Sequence, residues 1–172
     1  MAAARSPIGE RVAAELGWRF VDVDAEVEAR TGQTVAELSY EGGEDAYRPW
    51  ERQVVLQALD AAERSVVAAP GGIALDPEAR KAIGAVHVVA VYLRADPDRL
   101  AARVGEEEAH HLGGADPDRL AVLQGMFRDR DATYRALADI EVSVDGLHPR
   151  DAAALVVAAL PSDPSIGLRT VR

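Results

Sequence analysis

The chain has 172 residues, which suits one globular domain with a self-sufficient core and leaves no room for a second full domain. Its 19 basic and 29 acidic side chains give a net charge of −10, which argues against a nucleic-acid partner, since phosphate backbones are bound by a basic face. The lack of cysteine excludes disulfides, thiolate zinc sites and a cysteine nucleophile. No stretch approaches the ~20 apolar residues of a membrane span, so a cytoplasmic protein with no membrane partner is expected, a monomer or an oligomer of unspecified order.

Ser6 can cap a first helix with Pro7 in its opening turn, and Ile8, Val12 and Leu16 recur at helical spacing until Gly17. A strand follows over Arg19 to Val23. Asp24 can cap the next helix, whose first turn carries Glu26, and Thr34 with Glu37 fits a capping box, so two short helices flank Thr31-Gly32. Gly42-Gly43 breaks the chain before a long helix over about 45–61, with Tyr47, Trp50, Val54, Ala58 and Leu59 as its apolar stripe. Ser65 to Ala69 reads as a buried parallel strand stopped by Pro70-Gly71-Gly72, and Asp76-Pro77 restarts a helix. Val86 to Leu93 gives the strongest strand pattern, Ile140 to Val144 another, and a helix over about 149–160 closes the domain. Residues 161–172 are polar and contain proline, which predicts a flexible tail. Strands alternating with helices predict an α/β domain over residues 1–160 with a parallel sheet. The repeated Ala-Asp-Pro-Asp-Arg-Leu-Ala at 95–101 and 115–121 is read as two helix starts rather than a duplication.

In open parallel sheets, ligands bind beyond the carboxyl ends of the strands. Asp22 and Asp24 sit at one such end and Pro70-Gly71-Gly72 at another. Two carboxylates on one side of a strand suit Mg²⁺ together with a hydroxyl to be deprotonated; the competing reading is that Asp24 only caps its helix. Arg130 lies between Phe127 and Tyr134 on a helical face, where an inward guanidinium needs an anion, either a structural carboxylate or a bound one. Arg48 and Glu51, one helical turn apart, read by spacing alone as an i,i+3 ion pair.

Taken in order, these residues resemble the shikimate kinase family. Asp22-Val23-Asp24 resembles its Asp-x-Asp, Gly43 to Glu51 its Gly-Glu-x-x-Phe-Arg-x-x-Glu, Pro70-Gly71-Gly72 its triple glycine, and Arg130 to Tyr134 its Arg-x-x-x-Tyr. The likeness runs from about Arg5 to Leu160. It implies a P-loop NTPase fold of the nucleoside-monophosphate-kinase type, a three-layer αβα sandwich, transferring the γ-phosphoryl of ATP to the 3-hydroxyl of shikimate or a related carboxylated cyclic polyol. By the same resemblance Asp24 takes the hydroxyl proton, Arg48 and Arg130 hold the acceptor carboxylate, Glu51 orients Arg48, and the Gly71 and Gly72 amides meet ring hydroxyls. Arg5 and Ser6 stand on the nucleotide side, Arg5 in a catalytic place, with Ser6 and Asp22 as holders of Mg²⁺.

Departures from the family pattern fall on the nucleotide side. Ala4-Arg5-Ser6-Pro7 stands where the family has Gly-Lys-Ser-Thr; Arg5 keeps the positive charge, but its planar fork is bulkier than an ammonium and is not assumed to reach the same point between the phosphates. No strand or glycine run precedes it, although that family's first strand lies in mid-sheet; the expectation is that either the real gene product starts upstream, or the gap is closed by a rearrangement of this chain or by a partner. The lid segment, about 105–118, carries Glu106-Glu107-Glu108 and His110-His111, and three carboxylates repel a triphosphate. The expectation is a phosphotransferase impaired toward ATP, or a catalytically inactive relative that keeps a small-molecule pocket as a binding module.

Overall fold

The computed structural model describes residues 5–96, 117–161 and 167–171. Val66 to Ala69 and Val88 to Leu93 are buried without interruption, as strands covered on both faces must be. They belong to β2 (Ser65–Ala69) and β3 (Val88–Arg94), which share one parallel sheet with β1 (Arg19–Asp22), β4 (Ile140–Ser143) and β5 (Gly167–Val171). The strand order is β1-β2-β5-β3-β4.

Helices cover both faces. Helix α1 (Arg5–Leu16) and helix α6 (Pro149–Ala159) pack on each other and on one face, burying Ile8, Val12, Ala152, Ala153 and Val156 against Val66, Val89 and Val91. Helices α2 (Val23–Thr31), α3 (Val35–Asp60) and α4 (Pro77–Ile83) cover the other with Val27, Tyr47, Val54, Val55 and Ile83 against Val21, Val67 and Ala90. Helix α5 (Pro117–Leu137) packs on β3 and on the short 3-10 turn Gly71–Leu75, adding Tyr134 to this second core. The result is a three-layer αβα sandwich.

The caps explain several boundaries. The Thr34–Glu37 capping box forms in both directions, and Asp76 caps α4 with Pro77 behind it. Gly43 interrupts α3 with φ 68°, a left-handed value that re-aims the second half of the helix toward the strand ends. The cap of α2 differs from expectation: Asp22, with extended backbone, accepts from the amides of Asp24 and Ala25, while Asp24 falls inside the helix. Its carboxylate is thereby released for other work.

The C-terminal segment also differs. A loose tail is expected from its composition, yet Gly167–Val171 forms β5 in the middle of the sheet, pairing Ala68 with Thr170 on one side and Val91 with Thr170 on the other. Without it, β2 and β3 would each leave a row of buried amides and carbonyls unpaired, at roughly 1–3 kcal/mol per group. That penalty outweighs the polar composition that argues for a tail. The mid-sheet place is therefore refilled by the chain's own C-terminal strand. Residues 2–4 and the lid residues 105–116, including Glu106 to Glu108, His110 and His111, lie outside the described residues; Pro117 and Asp118 open α5.

Candidate active site

Three elements deliver charged side chains to the carboxyl edge of the sheet: the first turn of α1, the β1–α2 junction, and the re-aimed half of α3. Arg5 opens α1 and is 4 % exposed. Its Nη2 donates to Asp24 Oδ2 at 2.7 Å and stands 4.0 Å from Asp22 Oδ1. The other oxygen of Asp24 accepts from the Tyr47 hydroxyl at 2.5 Å. Asp24 thus has one donor on each oxygen, a guanidinium on one side and a phenol on the other.

One helix residue further along α3, Arg48 donates from Nη1 to Glu51 Oε2 at 2.6 Å, and its guanidinium also lies over the Tyr47 ring, 5.7 Å from the centroid. Glu51 is fully buried and its Oε1 accepts no hydrogen bond among the described residues. Burial pushes the Glu51 carboxyl up to about 7, against the Arg48 hydrogen bond and charge, which pull it down. Burial, followed by the hydrogen bond to Asp24, pushes the Tyr47 phenol well above its ordinary range, so it remains a donor at any working pH.

Gly72 is what lets Arg48 into this position. A Cβ on Gly72 would land on the Arg48 guanidinium, so the side chain lies directly against the backbone of the β2–α4 turn. Gly72→Ala is expected to cost little stability near pH 5–6, where Glu51 is protonated and the far end of an arginine moves easily. It should weaken binding of a carboxylate ligand at Arg48 by about tenfold or more, since the guanidinium would be driven out of place. Calorimetric titration with shikimate beside a urea unfolding curve separates the two effects.

Arg130 is half-buried on α5, the helix that packs on the turn carrying Gly71 and Gly72. Ser6 is half-buried in the first turn of α1. Asp22 spends Oδ1 on the α2 cap, and no cluster of three or more acidic or histidine side chains able to cage a metal occurs among the described residues. That donor set is too sparse for a resident ion, but one carboxylate and one hydroxyl fit Mg²⁺ that brings phosphate and water ligands with it. Sequence reasoning brings Asp24, Arg48, Glu51 and Gly72 to one place, as the structure does. It misses the Tyr47 contact, because Tyr47 reads as one more apolar stripe residue; the available signal is a tyrosine where the resembled motif has phenylalanine. It also misses the bond from Arg5, read as a phosphate ligand, to Asp24.

The parallel αβα sandwich, with a helix starting beside two strand-end carboxylates, has the P-loop NTPase fold. The shikimate kinase family model matches residues 1–161. Shikimate kinase of Thermobifida fusca is 37% identical over 160 residues, covering 93% of this chain and 90% of that one, and that of Halorhodospira halophila is 35% identical over 165 residues, covering 96% and 92%. Among solved structures, shikimate kinase from Acinetobacter baumannii in complex with shikimate superposes with a TM-score of 0.79 at 24% identity, covering 91% of this chain and 86% of that one. The enzyme from Aquifex aeolicus gives 0.74 at 22% identity, covering 92% and 90%. The chain belongs to the shikimate kinase family. No helix among the described residues is long and apolar enough to cross a membrane.

Proposed function

We propose that the chain binds shikimate, or a closely related carboxylated cyclic polyol, and transfers the γ-phosphoryl of ATP to the ligand hydroxyl facing Asp24, with its nucleotide side impaired. The observation that carries this is the linked set of Asp24 bonded to Tyr47, Tyr47 beneath Arg48, and Arg48 bonded to Glu51 and laid against Gly72. Arg48 would clamp the acceptor carboxylate, joined by Arg130 from α5. Glu51 would hold Arg48 in place, and the Gly71 and Gly72 amides would meet ring hydroxyls. Asp24 would accept the proton of the attacking hydroxyl as the new O–P bond forms and ADP departs. Mg²⁺ arriving with the nucleotide would neutralise the β- and γ-phosphates, with Ser6 and Asp22 as its protein-side partners.

The impairment rests on Arg5. In the place of the family's phosphate lysine it is buried and bonded through Nη2 to Asp24, so reaching a phosphate means displacing a buried guanidinium that a 2.7 Å charge-assisted bond holds in place. The same bond favours a second reading, a binding module without turnover. Calorimetry with shikimate and with ATP·Mg, followed by phosphorus NMR of the mixture, tests both. Shikimate binding with slow phosphoryl transfer, reduced at least about hundredfold by Asp24→Asn, is the expected result. Binding without transfer leaves the module, and failure to bind shikimate ends both.

A further inference from the structure

Tyr47 does something in this site that a phenylalanine would not. It is 5 % exposed, and its hydroxyl reaches across from α3 to Oδ1 of Asp24 on α2 at 2.5 Å while its ring supports the Arg48 guanidinium. Arg5 already holds Oδ2. A carboxylate oxygen can take two donors, but each buried donor already present fixes the carboxylate plane and lowers the electron density offered to the next. A ligand hydroxyl approaching Asp24 therefore meets a group that is oriented and partly satisfied. The phenol, kept protonated by its burial, cannot withdraw by ionising.

We infer that Tyr47 is a specificity-determining positioning residue: its hydroxyl competes with the acceptor's hydroxyl for Asp24, so the pocket recognises the ligand's carboxylate fully and its hydroxyl at a discount. This rests on the acceptor-site reading above and deepens it. The consequence is a ligand preference. Compared with a site where Asp24 is open on Oδ1, this one favours cyclic carboxylates that demand less of Asp24, and it gains less from a ring hydroxyl at Asp24 than that open site would.

Two acids separate the contributions: shikimate, and cyclohex-1-ene-1-carboxylate, which keeps the ring and carboxylate and lacks every hydroxyl. Both are titrated by calorimetry into the full chain and into Tyr47→Phe, which retains the ring under Arg48. The expected result is a threefold to tenfold tightening of shikimate, part of the effect of a full hydrogen bond to a charged group because the two hydroxyls share Asp24, with the deoxy acid changed by less than about twofold. A purely structural role would move both ligands together, and that outcome, an unchanged ratio, or weaker shikimate binding in Tyr47→Phe would overturn the inference. In the unmutated chain with ¹³Cζ-labelled tyrosine, both acids should perturb the ring through Arg48, and shikimate should shift the Tyr47 ring-carbon signal clearly more than the deoxy acid does. Equal shifts from the two acids would overturn the inference even if the variant failed to fold. If the unmutated chain bound neither acid, the acceptor-site reading itself would fall, a result distinct from binding without the predicted preference.

Discussion

Thr170→Pro is expected to destabilise the protein by about 3 kcal/mol or more, out of the ~5–15 kcal/mol typical of a domain this size. Thr170 pairs with Ala68 on one side and Val91 on the other, so its strand has no edge that faces solvent. Proline removes the amide hydrogen, and its ring blocks the approach of the neighbouring strand. The facing carbonyl is then buried without a donor, adding roughly 1–3 kcal/mol. Thr170→Val, which keeps the amide and is a strong strand former, should unfold within about 0.5 kcal/mol of the parent chain. Urea unfolding gives the magnitude, and amide exchange gives the location, with faster exchange expected at Ala68 and Val91. If Thr170→Pro unfolds like the parent chain, Gly167–Val171 is not a central strand.

Most of the sheet is legible in the sequence because its other strands carry their own signals. Val66 to Ala69 and Val88 to Leu93 are apolar runs bounded by turn residues, and each is buried on both faces. Gly167-Leu168-Arg169-Thr170-Val171 has no such signal: it is short, carries a charge, and follows prolines. It becomes a strand because β2 and β3 present two facing edges, a long-range demand that no local window contains. The site divides in the same way. Arg48 and Glu51 are one helical turn apart, and Asp24 stands two residues past its cap, so local geometry predicts their grouping. Whether Asp22 or Asp24 caps α2 depends on a single backbone conformation, φ −90° and ψ 116° at Asp22, which the Asp-Val-Asp sequence does not specify. The Arg5–Asp24 and Tyr47–Asp24 contacts span 19 and 23 residues, and only packing brings them together.

Arg48→Ala is expected to abolish tight binding of the acceptor and to leave a pH signature in stability. The binding loss follows from removing a charge-assisted clamp on a carboxylate, at least about a hundredfold in affinity for shikimate. The stability effect runs through Glu51. In the parent chain its carboxyl is pushed from an ordinary 4.5 up to about 7, so its contribution to stability is fully present below pH 4.5 and is lost as pH rises through about 7. Above that, the ionised Glu51 is held by Arg48 and the loss levels off. Without Arg48 both influences that lower Glu51 most are gone, burial alone remains to push it higher, and the folded state stays protonated while the unfolded state is ionised. Stability then keeps falling beyond pH 7 at up to about 1.4 kcal/mol per pH unit, so the deficit relative to the parent should widen by about 2 kcal/mol between pH 7 and pH 8.5 and stay nearly constant between pH 5 and pH 6.5. Urea unfolding across that range measures it directly. A deficit that is equally large at pH 5 and pH 8.5 would mean that Arg48 acts through packing over Tyr47 and that Glu51 is not the buried charge it balances.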